Sequence, residues 1–166
     1  MGGGGSNNYD TRIIDRLAKV AQDSFKNAQP EKRNVFISFD HRDVSEVNLL
    51  RGQAKNEGSD LEFNDYSLKE PFNSERAEYI KSGIRERIRQ ASVTVIYLSD
   101  ITHESDWVNW EVEESIAQGK GVICVHKGDT PPSRLPSFVG ELGLKVTTWK
   151  HKELSEAIEN AAQKRS

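Results

Sequence analysis

The spacing of apolar runs along this chain constrains its fold more than any other feature. Three runs are mostly apolar and do not alternate between apolar and polar residues. They are NVFISF (34–39), VTVIYLS (93–99) and GVICVHK (121–127). Strands of this kind are buried on both faces, which is typical of a parallel sheet with helices on each side. LEFNDY (61–66) and KVTTWK (145–150) predict two further strands.

Helical patterns separate these predicted strands. The predicted helices span residues 40–56, 72–90, about 106–118 and 152–165, and SFVGELG (137–143) is predicted as a short helix. Within residues 72–90, isoleucines recur at four-residue spacing, and Asn73 or Ser74 is predicted to cap the helix. Strands alternating with helices predict an α/β fold: a flavodoxin-like, doubly wound, parallel five-stranded sheet with strand order 2-1-3-4-5.

The length of 166 residues predicts one domain with an appendage at its start. Residues 1–10 are predicted to be a flexible leader, since Gly/Ser runs behave as linkers, although MGGGGSNN also fits an N-myristoylation pattern. Residues 11–30 are predicted to hold an extra amphipathic helix, over 11–28, that ends before Pro30. The folded domain is then expected to cover residues 31–166.

Composition excludes several classes of protein. Charged residues make up 30% of the chain and the net charge is -3, so no general attraction to nucleic acid or to an anionic membrane is expected. No apolar run approaches the ~18 residues of a membrane helix, and the chain shows no signal peptide. The single cysteine, Cys124, excludes a disulfide scaffold and predicts a cytoplasmic protein in which this thiol is buried filler.

Common catalytic motifs are missing from the sequence. No GxGxxG, Walker or GxSxG motif occurs, and GKG (119–121) precedes a predicted strand instead of following one. The four histidines are scattered, and one cysteine cannot complete a structural zinc site. No metal site is therefore predicted.

Polar and aromatic residues follow the predicted strands at their carboxyl ends, where ligands of doubly wound sheets bind. They are Asp40, His41, Asp43, Asp65, Tyr66, Ser67, Ser99, Asp100 and Trp107. Such a group predicts a site for a polar, ring-bearing ligand, on which Phe39, Tyr66 or Trp107 could stack. The alternative is that acidic residues after strands cap helices and form turns. For Asp43 and Asp106 the two interpretations are evenly matched, and for Asp65 a role in loop structure is favoured.

One carboxylate on the helix after the third strand is singled out by its position. The helix face against the sheet is predicted to hold Val108, Val112, Ser115, Ile116 and Gly119. Glu111 lies about 60° from the centre of that face, so its side chain is predicted to be half-buried, one turn after Trp107. A carboxylate held there can face a developing cation, or it can simply complement the helix dipole. Trp110 is predicted to project away from the core face.

Several of these segments together resemble the TIR-like domains of bacterial defence, most closely the TIR-like subunit of Thoeris systems and a related small TIR-like family. The segments are NVFISFDHRDV, LEFNDYS, VTVIYLSD, DWVNWEVEESIAQGKGVICVHK and the terminal helix. The resemblance covers residues 34–150, and its most specific part is the block with two tryptophans and Glu111 before a Gly-flanked strand. Helix 11–28 is not part of it.

The resemblance implies an enzyme that cleaves the nicotinamide–ribose bond of NAD+, which is its substrate and not a cofactor. The family's catalytic glutamate falls on Glu111. Its NAD-binding loops after the first two strands fall on Phe39, Asp40, His41 and Asp43 and on Asp65, Tyr66 and Ser67. Ser99 and Trp107 are expected to bind substrate too, because they lie at the same end of the sheet. The implied product is a cyclic ADP-ribose-type signal, made in response to a phage-derived trigger and sensed by a downstream effector. Self-association through TIR surfaces is also implied.

Two other functions compete with this one. A non-catalytic TIR-like module would use Trp110 and helix 11–28 for assembly. A phosphoacceptor receiver shares the fold and would use Asp40 and Asp43 as its acidic pair, Asp100 as acceptor, and Thr130 and Lys150 as partners. The ~60-residue separation of Asp100 from the acidic pair argues against the receiver, and fold alone does not decide.

Overall fold

The computed structural model describes residues 12–20, 33–58, 61–65 and 70–164. The predicted leader, residues 21–28 of the predicted first helix, Tyr66 and Ser67 lie outside these ranges. The chain divides into two compact units, Met1–Glu31 and Lys32–Ser166. In the first unit, residues 12–20 form helix α1, as the amphipathic pattern predicts. The apolar side chains of α1 are exposed: Ile13, Ile14, Leu17 and Val20.

The second unit is built on a five-stranded parallel sheet of order β2-β1-β3-β4-β5, so the predicted topology is confirmed. The strands are β1 (Arg33–Ser38), β2 (Leu61–Asn64), β3 (Val93–Leu98), β4 (Gly121–His126) and β5 (Lys145–Thr148). The three central strands are buried along most of their length, whereas the edge strands β2 and β5 are only partly buried. This difference explains why only the central strands lack alternation.

Five helices connect the strands or follow the last one. They are α2 (Val44–Asn56), α3 (Ala77–Gln90), α4 (Asp106–Ala117), α5 (Ser137–Glu141) and α6 (His151–Lys164). Short 3₁₀ turns precede two of them, His41–Asp43 before α2 and Thr102–Glu104 before α4. No described helix combines the length and the apolarity that crossing a membrane requires.

The predicted start of α3 is wrong. The helix begins at Ala77 and not at residue 72, and neither Asn73 nor Ser74 caps it, because the N-cap position is Arg76. Ser74 instead closes a turn, with its amide N–H donating to the carbonyl of Pro71 (2.9 Å), and its hydroxyl contacts the Glu70 carboxylate (3.4 Å). A polar residue just before an apolar pattern is therefore used here for the loop and not for the helix.

The helices cover the two faces of the sheet. On one face, α2 and α6 pack through Val47, Leu50, Leu154, Ala157 and Ile158. On the other face, α3 packs beside β1 and α4 packs beside β3 and β4. Odd-numbered residues of β1 and β3 face α2 and α6, while Phe36 and Ile96 face α3 and α4. Cys124 is buried in the α4 layer, where its side chain packs in the core as predicted. Burial raises the pKa of its thiol to about 12.

The orientation of α4 differs from the predicted one. Ile116, expected against the sheet, is 44% exposed, whereas Trp107 and Glu111 are buried together with Val108, Val112 and Ser115. The bulky indole of Trp107 is drawn into the cluster formed by α3 and Phe36. Further along the buried face of α4, the hydroxyl of Ser115 lies 2.8 Å from that of Thr94 and ties the helix to β3. Glu111 therefore lies at the centre of the buried face.

A glycine sets how closely α6 approaches β4. A Cβ placed on Gly121 would meet the backbone carbonyl of Ala161, with 2.8 Å to the carbonyl carbon. Backbone atoms cannot move aside as the end of a flexible side chain can, so the helix would have to shift. Gly52, within α2, has open space around its Cα, with nothing within 4 Å of an added Cβ.

We expect Gly121→Ala to lower the free energy of unfolding by about 1–3 kcal/mol, because overpacking at a backbone contact displaces α6. Gly52→Ala is the matched control and should be neutral or raise stability by up to ~1 kcal/mol through helix propensity. Urea denaturation followed by circular dichroism measures both. Equal effects of the two substitutions would show that the α6–β4 approach tolerates a methyl group.

Candidate active site

Glu111 occupies the second turn of α4, on the side nearest the carboxyl edge of the sheet. Its helix starts there because the Ser105 hydroxyl accepts a hydrogen bond from the amide of Val108 (3.2 Å) and caps the first turn. The Glu111 side chain is 0% exposed. The prediction of a half-buried carboxylate is therefore wrong, and the rotation of α4 described above is the reason.

Trp107 lies one turn before Glu111 and is 7% exposed. Its indole N–H donates to the backbone carbonyl of Glu70 (2.6 Å), and its ring contacts Phe72 edge to face with centroids 5.0 Å apart. These contacts anchor the start of α4 to the segment before α3. They are structural contacts, and the predicted role of Trp107 in substrate binding stays a prediction.

Trp110 does not project away from the core face as predicted, because its ring is half-buried and packs against the cluster that contains Trp107. Its ring lies edge to face with Trp107 (6.3 Å between centroids), and two cations of α3 lie over it: the Lys81 ammonium at 5.5 Å and the Arg85 guanidinium at 5.3 Å. Cations over a Trp face are attracted to its π electrons. Trp110 therefore ties α4 to α3.

The loops after β1 and β3 meet at the carboxyl edge, as the topology requires. The Ser99 hydroxyl donates to the Asp43 carboxylate (2.6 Å). The hydroxyl of Thr102 accepts from the Ser99 amide (2.8 Å) and donates to the carbonyl of Tyr97 (3.2 Å). Two residues predicted for the site, Asp43 and Ser99, are thus brought together by direct contact.

Asp40 has a local role in this edge. Its carboxylate caps the His41–Asp43 turn by accepting from the amide of Arg42 (2.9 Å), and it forms an ion pair with the Arg42 guanidinium (2.9 Å). Burial alone would raise the pKa of Asp40, but the hydrogen bonds and the charge of Arg42 outweigh it and lower the pKa. Arg42 also reaches Glu104 (3.3 Å), which joins the loop after β1 to the turn before α4.

The pKa of Asp43 is shifted in the opposite direction, upward. Burial raises the pKa of its carboxyl, the nearby charge of Asp40 adds to this, and the hydrogen bond from Ser99 only partly opposes it. Burial and the charges of Glu46 and Asp43 raise the pKa of Tyr97, beneath them, to about 12. Adjacent carboxylates with opposite shifts are a feature of functional sites, although structural networks also produce them.

The remaining predicted residues are distributed around this edge. Phe39 is buried in the core cluster of the α2/α6 layer, on the face of the sheet opposite α4. His41 is exposed beside Asp40 (3.7 Å). Asp65 pairs with Arg51 (2.6 Å), which supports its predicted role in loop structure. Asp100 accepts from the amide and hydroxyl of Ser133 (3.1 and 3.3 Å).

Sequence reasoning missed three residues. Arg42 and Glu104 form the charged bridge at the edge, and long exposed side chains give no signal of pairing. Ser38 ends β1 and is 0% exposed, and in the described part of the chain its hydroxyl has no hydrogen-bond partner. A polar residue inside the apolar run VFISF was the signal for Ser38.

Two further features bear on the location of a site. Among the described residues, no three His, Cys, Asp or Glu side chains cluster in a way that could hold a metal ion. A shallow groove of about 410 Å³ lies at the opposite, amino-terminal edge of the sheet, between the starts of β4 and β5 and the end of α6. None of the residues predicted for the site lines this groove.

Comparison with known sequences identifies the family to which most of the folded unit is similar. Residues 36–131 match the family described as the TIR-like domain of the Thoeris protein ThsB. Over 118 residues, 70% of this chain, it is 27% identical to the Cytobacillus dafuensis protein TIR2, whose name assigns it a cyclic ADP-D-ribose synthase activity. The match spans only 30% of that relative's length.

Solved structures give weaker likenesses. The TIR domain of the Toll-related receptor TRR-2 of Hydra magnipapillata aligns with a TM-score of 0.49 and 14% identity, over 76% of this chain and 91% of that one. The CMP N-glycosidase BcmB of Clostridium botulinum aligns with a TM-score of 0.44 and 12% identity, over 77% of this chain and 97% of that one.

The pKa values of Asp40 and Asp43 are shifted in opposite directions, which predicts that the two carboxyl groups affect stability with opposite pH dependences. Asp40 has a lowered folded-state pKa, so its stabilising effect is present above the ordinary value of 3.8 and is lost as the pH falls through the folded pKa. Asp43 has a raised folded-state pKa, so its contribution is present below 3.8 and is lost as the pH rises through the raised pKa. The destabilisation by Asp40→Asn should therefore shrink toward acid pH, while Asp43→Asn should become relatively more stabilising toward neutral pH.

Urea denaturation of both variants and the unsubstituted chain, from about pH 3 to about pH 7, measures these trends. At neutral pH, Asp40→Asn should cost about 1–3 kcal/mol, as expected when a charged hydrogen-bonding partner is removed. Parallel pH trends for the two variants would contradict the assignment of opposite shifts.

Proposed function

Because this chain belongs to the TIR-like domain family of the Thoeris protein ThsB, we propose that it is an enzyme that cleaves the nicotinamide–ribose bond of NAD+ with Glu111 as its catalytic carboxylate. The observation that carries the proposal is the position of Glu111. It lies within the family-matched segment, in the second turn of α4, toward the carboxyl edge, where ligands of such sheets bind.

The chemistry of the bond suits a single carboxylate. The C1′–N bond breaks heterolytically, and its electron pair goes to the nicotinamide nitrogen, so the leaving group departs neutral and needs no general acid. Positive oxocarbenium character is left on the ribose. A negative carboxylate beside that ring stabilises the charge as it develops, as the stabilising carboxylate of glycosidases does.

The burial of Glu111 strengthens this interaction. Charges interact more strongly in a water-poor environment than in bulk water, because the local dielectric constant is lower. A carboxylate that is 0% exposed is held in such an environment before substrate arrives. Access for the ribose then requires the groups above Glu111 to move, so the proposal includes an opening of the carboxyl edge during substrate binding.

The fate of the ribosyl cation decides the product. Attack by water gives linear ADP-ribose and a proton, whereas attack by a nucleophile of the same dinucleotide gives a cyclic product. The name of the Cytobacillus dafuensis relative supports the cyclic product. We accordingly propose a cyclic ADP-ribose-type signal in cytoplasmic anti-phage defence, released after a phage-derived trigger and sensed by a separate effector.

The predicted NAD+-binding residues enter the proposal with different roles. Asp43 and Ser99 form a polar edge beside the start of α4, and His41 offers an exposed imidazole next to it. Asp40 and Asp65 are held by arginines, so we assign them to shaping the loops that receive the dinucleotide. Tyr66 and Ser67 are proposed to complete the site from the loop after β2.

A non-catalytic TIR-like module is the second candidate. The specific observation that favours it is the packing of Trp107, whose N–H and ring edge are both used within the protein. A buried Glu111 next to such a packed ring is also compatible with a structural carboxylate. NAD+ turnover that depends on Glu111 separates the two candidates.

We expect Glu111→Gln to reduce nicotinamide release from NAD+ by about 10²–10³-fold, the usual effect of removing an electrostatic stabiliser of the transition state. Glu113→Gln is the matched control, because Glu113 lies two residues away on the exposed side of the same helix and undergoes the same change of charge. Chromatography of the products after incubation of concentrated protein with NAD+ measures the rates. In cells, phage infection supplies the trigger, and the loss of NAD+ is the quantity measured.

Circular dichroism must show that both variants remain folded. Nicotinamide release that is equally fast in Glu111→Gln and Glu113→Gln would exclude Glu111 as the catalytic carboxylate. Absence of release from the unsubstituted chain in both settings would favour the non-catalytic module.

A further inference from the structure

Ser38 is the last residue of β1, and its hydroxyl is a buried polar group without a hydrogen-bond partner among the described residues. The residue is 0% exposed, and no described residue forms a hydrogen bond with Ser38 Oγ. A buried hydroxyl without a partner costs free energy relative to alanine or valine at the same place. Its position in an otherwise apolar strand therefore needs a reason outside the folding of the chain.

The register of the sheet places Ser38 at the level of Glu111. Thr94, which pairs with Phe36, contacts Ser115 of α4 (2.8 Å) and so ties that turn of α4 to the start of β3. Two residues further along the strands, toward the carboxyl edge, Ser38 pairs with Ile96. This step is ~6.6 Å along a strand.

The corresponding step along α4 leads to Glu111. It lies four residues before Ser115, ~6 Å along the helix axis, and α4 runs antiparallel to the strands. Ser38 faces the same side of the sheet as Phe36, which packs in the cluster that includes Trp107. Ser38 and Glu111 therefore occupy the same level of the same layer, one on the sheet and one on the helix that covers it.

We propose that Ser38 is a substrate-binding residue that hydrogen-bonds a hydroxyl of the nicotinamide ribose next to Glu111. This inference rests on the proposed function and adds a residue to its site. A serine hydroxyl both donates and accepts, which matches a sugar hydroxyl that does the same. The movement that admits a ribose to Glu111 also exposes Ser38, because both lie at one level beneath the same edge.

The first test compares the stability of two alanine variants. Ser38→Ala should leave the urea midpoint unchanged or raise it, because the lost hydroxyl has no partner in the described chain. Ser155→Ala is the matched control: Ser155 Oγ is also buried without a partner among the described residues, but it lies on α6, across the sheet from Glu111. A lower midpoint for Ser38→Ala alone would show that its hydroxyl supports the fold, and would overturn the inference.

The second test measures binding without turnover, in the Glu111→Gln background. Isothermal titration with NAD+ should show about tenfold weaker binding after Ser38→Ala, the loss expected for one hydrogen bond to the ligand. Ser155→Ala should not change the affinity. With NAD+ analogues that lack the 2′- or the 3′-hydroxyl of the nicotinamide ribose, the effect of Ser38→Ala should disappear for at least one analogue, because the two changes remove the same contact.

The outcomes separate this inference from the proposed function. If NAD+ is cleaved in a Glu111-dependent reaction but Ser38→Ala changes neither affinity nor rate, the inference is wrong and the proposed function stands. An equal loss of affinity for NAD+ and for both analogues also overturns it, because the effect of Ser38 is then not a contact with a ribose hydroxyl. If the unsubstituted chain neither binds nor cleaves NAD+, the proposed function fails and the inference fails with it.

Discussion

The candidate site depends on which face of α4 packs against the sheet. Trp107 fixes the first turn through its hydrogen bond to the Glu70 carbonyl and its contact with Phe72. Ser115 fixes the third turn through its contact with Thr94. Glu111 lies between these two residues on the same buried face of α4. Its side chain is therefore buried, although a carboxylate is more stable in water.

The carboxyl edge is connected to the start of α4 by a chain of hydrogen bonds. Asp43, just before α2, accepts from Ser99, and Thr102 holds the Ser99 amide. The amide of Ser105 donates to the Thr102 carbonyl (3.0 Å), and the Ser105 hydroxyl then caps α4. Under the proposed function, a change at Asp43 or Ser99 therefore acts on Glu111 through the position of α4, in addition to any direct contact with the dinucleotide.

Much of the fold could be predicted because burial leaves a simple pattern in the sequence. Consecutive apolar residues in the runs around Val35, Val95 and Ile123 are typical of strands covered on both faces, and this pattern with the intervening helices indicated the topology. The start of α4 near residue 106 was also predicted, although its cap is Ser105 and not the candidate Asp106. Helix rotation was not, because an apolar stripe defines a face only within several tens of degrees. The partner of Trp107 lies 37 residues away in the chain and leaves no local signal.

Under the proposed function, the nicotinamide ribose binds between the end of β1 and α4, against the carboxylate of Glu111. A crystal structure of the Glu111→Gln variant with NAD+ tests this most directly, because the substitution preserves shape while slowing turnover. We predict that the nicotinamide ribose lies within about 3 Å of the side chain at position 111, on the α4 side of the sheet. NAD+ bound elsewhere, such as in the groove at the amino-terminal edge, would contradict the proposed location of the site.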